Sequence, residues 1–393
     1  MFFMLTIKCY KNRFLATLGM TTGVKHGAVG RGGFAAATNC IPLYNNVIPN
    51  VVRNLCLRRF SLSITLIIWI CCLSGCLPED NFNSSPQANF DALWKIMDER
   101  YCYFEYKDID WKGVYEKYQP EIKSKMTNEE LFEVLSNMLA ELKDGHVNLI
   151  SSFNISRYWD WYLDYPDNFD AKIQRNYLGR DYYIASGIRY KILDDSIGYM
   201  YYGSFSNGIG NGNLDQIIGK FSKCKGIIID IRDNSGGLLS NVDILASRFT
   251  DTRVLTGYSR YKTGKGHNDF SKPEAKYLEP SDRIRYLKSV VVLTNRHCFS
   301  AANDFVNVMK QLPTVTVMGD RTGGGGGLPL SSELPNGWSV RFSACPFYNP
   351  DMEDIEFGIN PDVEVNMTES DMSEGIDTII EAAREFIERM EER

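Results

Sequence analysis

Histidine is scarce in this chain: the 393 residues contain four, His26, His146, His267 and His297. Chemistry that needs an imidazole therefore has few possible addresses. No C-x-x-C pair occurs. Six of the ten cysteines fall within the first 76 residues, and the remaining Cys102, Cys224, Cys298 and Cys345 are widely spaced. That spacing speaks against a thiolate metal site, and neither a metal nor another cofactor is expected. With a formal net charge of -6 and no long basic block in the last two thirds, the chain lacks the electrostatic footprint of a nucleic-acid binder. No internal repeat is visible. What remains, 44% hydrophobic and 23% charged residues, is an ordinary globular composition sufficient for one large or two medium domains.

The clearest local signal lies early. Arg58 and Arg59 precede the apolar run from Leu62 to Leu73, which is shorter than the roughly 20 residues a helix needs to cross a bilayer. A basic segment followed by a short apolar one reads as a signal peptide. It ends on Leu73-Ser74-Gly75-Cys76, which resembles the lipobox of bacterial lipoproteins and makes Cys76 the expected lipidated N-terminus of the mature protein. The expected organisation is an N-terminal extension over residues 1–57, a lipoprotein signal peptide over 58–76, a polar tether over 77–87, a helical region over 88–150, a connecting segment over 151–190 and a catalytic α/β domain over 191–393. Export would place the protein in the cell envelope, anchored by lipid on the periplasmic or surface side.

Phe90, Leu93, Trp94 and Met97 recur at helical spacing, which predicts a helix with one buried stripe. Thr127-Asn128-Glu129-Glu130 is a capping box that opens a second helix, with Leu131, Leu135, Met138, Leu139 and Leu142 on its apolar face. Beyond Tyr182 the pattern changes to short apolar runs, at Ile197 to Tyr202, Ile227 to Ile231, Val290 to Thr294 and Val315 to Met318. Such runs are what parallel strands covered on both faces look like. Helical stretches alternate with them, so the main domain is expected to be α/β, with function in loops at strand ends.

Two strand-to-helix junctions carry candidate chemistry. In Asp230-Ile231-Arg232-Asp233-Asn234-Ser235-Gly236-Gly237, a strand turns through two glycines whose amides can converge on an anion; a plain tight turn has the same signature. In the second junction, Val290 to Thr294 leads through Asn295-Arg296-His297-Cys298-Phe299 to Ser300-Ala301-Ala302-Asn303, which opens a helix. A serine there is either an N-cap or a nucleophile beside unpaired amides. The nucleophilic reading needs a base. His26 lies in the leader, His267 in a polar loop, and His297 too close in sequence to Ser300, which leaves His146 at the end of Leu142-Lys143-Asp144-Gly145-His146.

These two junctions, the Asp144-Gly145-His146 turn and Glu356-Phe357-Gly358-Ile359-Asn360-Pro361-Asp362 occur in one order. Together they resemble the catalytic core of the C-terminal processing peptidases, or tail-specific proteases, and of tricorn protease. The resemblance implies a Clp-protease/crotonase-like spiral of β-β-α units with a small N-terminal helical region. It makes Ser300 the acylating nucleophile, and it places the oxyanion hole at the amide of Ala301 with that of Gly236 or Gly237. One branch of the family uses a Lys base in a T-F-G-K-G-type segment. The corresponding Arg321-Thr322-Gly323-Gly324-Gly325-Gly326-Gly327 has no lysine, which favours the branch with His and a supporting Glu, here His146 and Glu356. In that branch a Ser directly before the His links it to the Glu; position 145 is Gly, which breaks the link, and Glu356 also reads as a solvated loop carboxylate. The roughly forty residues after Ile150 are too few for a PDZ domain, so none is expected.

The resulting expectation is an exported, lipid-anchored serine endopeptidase that forms an acyl-enzyme on peptide or protein substrates. The alternative is a non-catalytic lipoprotein that binds peptides or apolar ligands on the same fold. A crotonase-type enzyme acting on coenzyme A thioesters conflicts with export.

Overall fold

The computed structural model describes residues 83–392, Asp164 excepted. The lipobox with Cys76 and the apolar run before it lie outside the described residues.

Ser85 caps α1 (Pro86–Arg100), whose hydroxyl accepts from the Ala88 amide, and a proline stands in the first turn. Phe90, Leu93 and Met97 form its fully buried stripe. After α2 (Trp111–Tyr118) comes α3 (Asn128–Ala140), opened by the capping box in which Thr127 and Glu130 each satisfy the other's backbone amide. The chain then passes Asp144 and His146 into the short strand β1 (Asn148–Ile150), followed by α4 (Ala171–Leu178), β2 (Tyr183–Ala185), β3 (Ile188–Ile192) and β4 (Gly198–Tyr202). Next come α5 (Asn211–Phe221), β5 (Ile227–Asp230), α6 (Leu239–Ala246), β6 (Val254–Ser259), β7 (Glu274–Leu278) and β8 (Val290–Thr294). The last third holds α7 (Ala301–Met309), β9 (Val315–Gly319), β10 (Gly327–Glu333), β11 (Ser339–Tyr348), β12 (Val363–Glu364), α8 (Glu369–Glu374) and α9 (Thr378–Glu391).

One sheet has the order β12-β9-β8-β5-β4-β3-β2. Its pairings from β12 to β4 are parallel, and the last two are antiparallel. β4, β5 and β8 are buried at every residue, as expected for strands covered by helices on both faces. The α/β architecture is therefore the one read from the sequence, with no PDZ domain among the described residues.

A second sheet is not evident in the sequence. It runs β1-β11-β6-β7 with β10 paired to β11, and every pairing is antiparallel. The helical region packs on it: Phe90, Leu93, Trp111, Leu135 and Leu139 share one core with Val340, Phe342 and Ala344 of β11. Its strands alternate between faces and several are half exposed, so they carry weaker apolar runs than the buried parallel strands.

Candidate active site

Ser300 stands between β8 and α7. Its backbone is in a conformation unusual for a non-glycine residue, φ 58° and ψ -120°, and its side chain makes no capping hydrogen bond to the helix. Strain of this kind, about 1 to 3 kcal/mol, persists only where the surroundings impose it. Here the Ser300 amide donates to the Gly324 carbonyl at 2.8 Å, and the Phe299 amide to Asn234 at 3.1 Å. The N-cap alternative for Ser300 is thus not the role its hydroxyl plays.

Instead, Ser300 Oγ lies 2.9 Å from His146 Nε2. With the ring proton on Nδ1, the hydroxyl donates and Nε2 accepts. His146 is almost fully buried and packs at 4.7 Å against the ring of Phe299. Its backbone amide donates to Asp144 Oδ1 at 2.8 Å, which fixes the turn. Burial pushes its pKa down to about 4; Asp144 opposes the shift, and Arg341 and Lys107 add to it. The ring is therefore neutral at pH 7 and able to accept a proton. His267 pairs with Asp98 at 2.9 Å, and His297 faces Asp233 and Asp167 at 3.7 and 3.8 Å. Neither imidazole is bonded to Ser300.

Gly236 and Gly237 reach the same place from β5. Both have positive φ, 98° and 143°. A Cβ on Gly236 would meet the Phe299 carbonyl at 2.6 Å and the Ala301 amide at 2.9 Å, and one on Gly237 would meet the Ser206 amide at 2.1 Å. Only glycine fits at either position. The amides differ in availability. That of Gly236 donates to Asn234 Oδ1 at 2.9 Å, whereas those of Gly237 and Ala301 meet no acceptor among the described residues. Of the two glycines, Gly237 is the one left free to pair with Ala301 around an anion. Arg232 braces this junction from behind; it is fully buried and bonded to Asp230 at 2.7 Å and Asp377 at 2.9 Å.

Glu356 does not touch His146. Its Oε2 accepts from the Gly326 amide at 2.9 Å and its Oε1 from Lys107 Nζ at 2.7 Å. The carboxylate is buried rather than solvated, so the loop-surface reading is set aside. The glycine run is what lets it approach: a Cβ on Gly324 would lie 1.8 Å from the Glu356 carbonyl oxygen. Lys107 also lies 3.4 Å from Asp144 Oδ2, an oxygen that in addition accepts from Tyr101 at 2.9 Å and Ser343 at 3.0 Å. One cation thus serves two buried carboxylates. Burial would raise Asp144, but Lys107, His146 and the donors around it outweigh burial and hold it low. Burial and then the Asp144 charge push Glu356 up to about 8 despite Lys107.

The missing serine before His146 has a steric reason. A Cβ on Gly145 would come within 2.9 Å of Trp161 Nε1 and 3.0 Å of Phe299, and Trp161 stacks on Phe299 at 4.7 Å. The indole occupies the space a side-chain relay would need. Tyr162 likewise packs on His297 at 4.5 Å. Tyr158 and Trp161 also border a cleft of about 400 Å³ with Phe299, Arg321 and Glu356. Sequence reasoning missed Lys107, which carries no motif; its only signal is a place in an aromatic stretch between Tyr106 and Trp111.

Residues 196–365 match Peptidase family S41, and residues 82–140 match the tricorn protease C1 domain. The carboxy-terminal processing protease CtpA of Bacillus subtilis is 26% identical over 202 residues, which is 51% of this chain and 40% of that protein. The carboxy-terminal-processing protease of Bartonella bacilliformis is 25% identical over 207 residues, 51% of this chain and 46% of that protein. The chain thus spans less than half the length of these relatives. A crystal structure of a candidate peptidase from Parabacteroides merdae is 61% identical, with a TM-score of 0.75 over 78% of this chain and 97% of the other. Mature CPAF, 12% identical with a TM-score of 0.59 over 78% of this chain and 96% of the other, shares the fold. A relative so similar over nearly its whole length, together with the domain matches, shows that the chain belongs to peptidase family S41.

Proposed function

We propose that the protein is an exported, lipid-anchored serine endopeptidase that cleaves peptide or protein substrates through an acyl-enzyme. The observation that carries the reading is the 2.9 Å contact between Ser300 Oγ and His146 Nε2, made by a serine whose hydroxyl is not spent on capping and which stands beside two free amides. Ser300 Oγ attacks the scissile carbonyl as His146 Nε2 takes its proton. The oxyanion forms against the amides of Gly237 and Ala301, where donors fixed in advance stabilise the developing charge. The C–N bond then breaks as His146 returns the proton to the leaving amine, and water, deprotonated by the same nitrogen, releases the acyl group. Glu356 acts at one remove: through Lys107 it steadies Asp144, and through Gly326 the glycine loop on which Ser300 rests. The Arg58 to Cys76 segment supports export and lipid attachment at Cys76.

The test compares wild type with Ser300→Ala on a library of internally quenched peptides. The variant is expected to lose turnover by several orders of magnitude while its unfolding transition stays within about 1 kcal/mol of wild type, because no capping bond is lost. Equal turnover in the two proteins refutes the assignment. Peptide binding without turnover in wild type supports the non-catalytic alternative.

A further inference from the structure

Arg341 is a half-buried cation in the cleft that also holds the proposed nucleophile. It lies on β11 opposite Asn148, two residues beyond His146. It shares a strand face with Ser343, whose hydroxyl reaches Asp144 at 3.0 Å. With Ser300 and Gly237 it lines a cleft of about 390 Å³. Elsewhere in the fold, Arg232 is held by Asp230 and Asp377, Arg248 by Asp215, and Arg384 by Asp195 and Glu381. Among the described residues no carboxylate comes within ion-pair distance of Arg341 and no acceptor takes a hydrogen bond from it. The rest of the cleft is largely apolar, walled by Leu238, Leu328, Pro329, Phe347 and Ile355, and its one acidic group, Asp304, is paired with Lys276 at 3.5 Å.

A guanidinium in an apolar cleft, without a partner of its own, gains more from a planar anion than one in open water, and carboxylate is the anion whose geometry matches its fork. We propose that Arg341 is a carboxylate-recognition subsite of the catalytic cleft, so that preferred substrates carry a carboxylate within a residue or two of the scissile bond. The carboxylate comes from an Asp or Glu side chain or from the substrate's own C-terminus. This deepens the peptidase reading and rests on it. Burial disfavours the charge on Arg341, and Asp144 only partly restores it, which is the electrostatic situation of a cation awaiting a counter-ion.

The experiment uses matched quenched peptides built on a sequence that wild type cleaves. One pair differs only in Glu or Gln beside the scissile bond. The other differs only in a free or amidated C-terminus two residues beyond it. Wild type is expected to favour the acid over its neutral twin on the order of 10-fold or more in kcat/KM, the scale of a charge-assisted hydrogen bond. The ratio should fall to near one in Arg341→Met and be intermediate in Arg341→Lys. Because each ratio is taken on one preparation, a change in the active fraction does not enter it. The pair that shows the preference identifies the source of the carboxylate. A ratio near one in wild type, or one that survives Arg341→Met, overturns the inference. Should no peptide be cleaved, the peptidase reading fails by itself. Fluorescein-labelled tetrapeptide pools, acidic or neutral and free or amidated, are then titrated into Ser300→Ala and Ser300→Ala/Arg341→Met. Acid preference lost with Arg341 supports the subsite, and its absence in the first variant refutes it.

Discussion

Lys107→Met is the substitution with the most to say about how the site is held. The ammonium is buried with both its carboxylates, at 2.7 Å from Glu356 and 3.4 Å from Asp144, and it also meets the carbonyls of Leu142 and Lys143 at 3.4 and 3.3 Å. Removing one partner of a buried pair costs about 3 to 5 kcal/mol. Two features place this case at the lower end near neutrality. Asp144 keeps its donors from Tyr101, Ser343 and the His146 amide. Glu356, already pushed up to about 8, can take a proton rather than remain as an orphaned charge. The expected loss is about 3 kcal/mol at pH 6, and it should grow towards pH 9. A group whose folded pKa lies above its unfolded value loses its stabilising contribution as pH rises through the folded pKa, and without Lys107 that pKa moves higher still, so the variant falls further behind wild type in alkali. Urea unfolding at the two pH values, followed by tryptophan fluorescence, measures both quantities. Adding Glu356→Gln should remove the pH-dependent part. A loss below about 1 kcal/mol that does not change with pH would show that the cluster is not held by this cation.

His146→Ala should lower kcat/KM by about 10² to 10⁴. The acid limb of the wild-type profile should fall near pH 4, not 6.5, because burial depresses the imidazole. The same depression contributes stability that is present above about pH 6.5 and lost as pH falls through 4, so His146→Ala should flatten the stability profile in that window. Glu356→Gln is expected to cost less than about 10-fold in kcat/KM at pH 7, since it keeps an acceptor for Gly326 and resembles the protonated acid; a loss as large as that of His146→Ala would mean that the carboxylate charge acts directly in catalysis. Gly145→Ser should lower activity unless Trp161 is also reduced, Trp161→Ala in the same chain making room for the hydroxyl; equal activity in Gly145→Ser alone counts against the steric account. Mass spectrometry of membrane-extracted protein should find a lipidated Cys76 at the N-terminus, and an intact Met1 would refute export as a lipoprotein.

The parallel sheet was legible because its strands are buried on both faces, so Ile227 to Asp230 and Val290 to Thr294 stand out as unbroken apolar runs. The two junctions were legible for a related reason: a strand that ends in glycines or in a serine leaves a local signature. The second sheet was not, because β6, β7 and β10 mix polar with apolar residues and owe their pairing to partners far away in sequence. At the site, Ser300 and His146 followed from motif order and the shortage of histidines. The indirect place of Glu356 did not follow, because nothing near it in sequence announces Lys107, which lies 249 residues away. The free amide of Gly237 and the occupied one of Gly236 could be told apart only once Asn234 was seen folding back. Trp161 in the space beside Gly145 is likewise a meeting of segments that share no pattern.

His146 lies two residues before β1, and β1 pairs with β11 through Asn148 and Arg341, Leu149 and Val340, and Ile150 and Ser339. Imidazole and hydroxyl come from positions 154 residues apart, and the strand that seats the imidazole has its partner almost two hundred residues downstream. Pairings of such long range are intrinsically slow to form. The first half of the chain holds the imidazole without the hydroxyl, and the second half holds the hydroxyl without the imidazole. The ladder therefore ties the joining of imidazole and hydroxyl to the pairing of two distant segments, so a fragment that lacks either strand lacks the 2.9 Å contact on which the proposed hydrolysis rests.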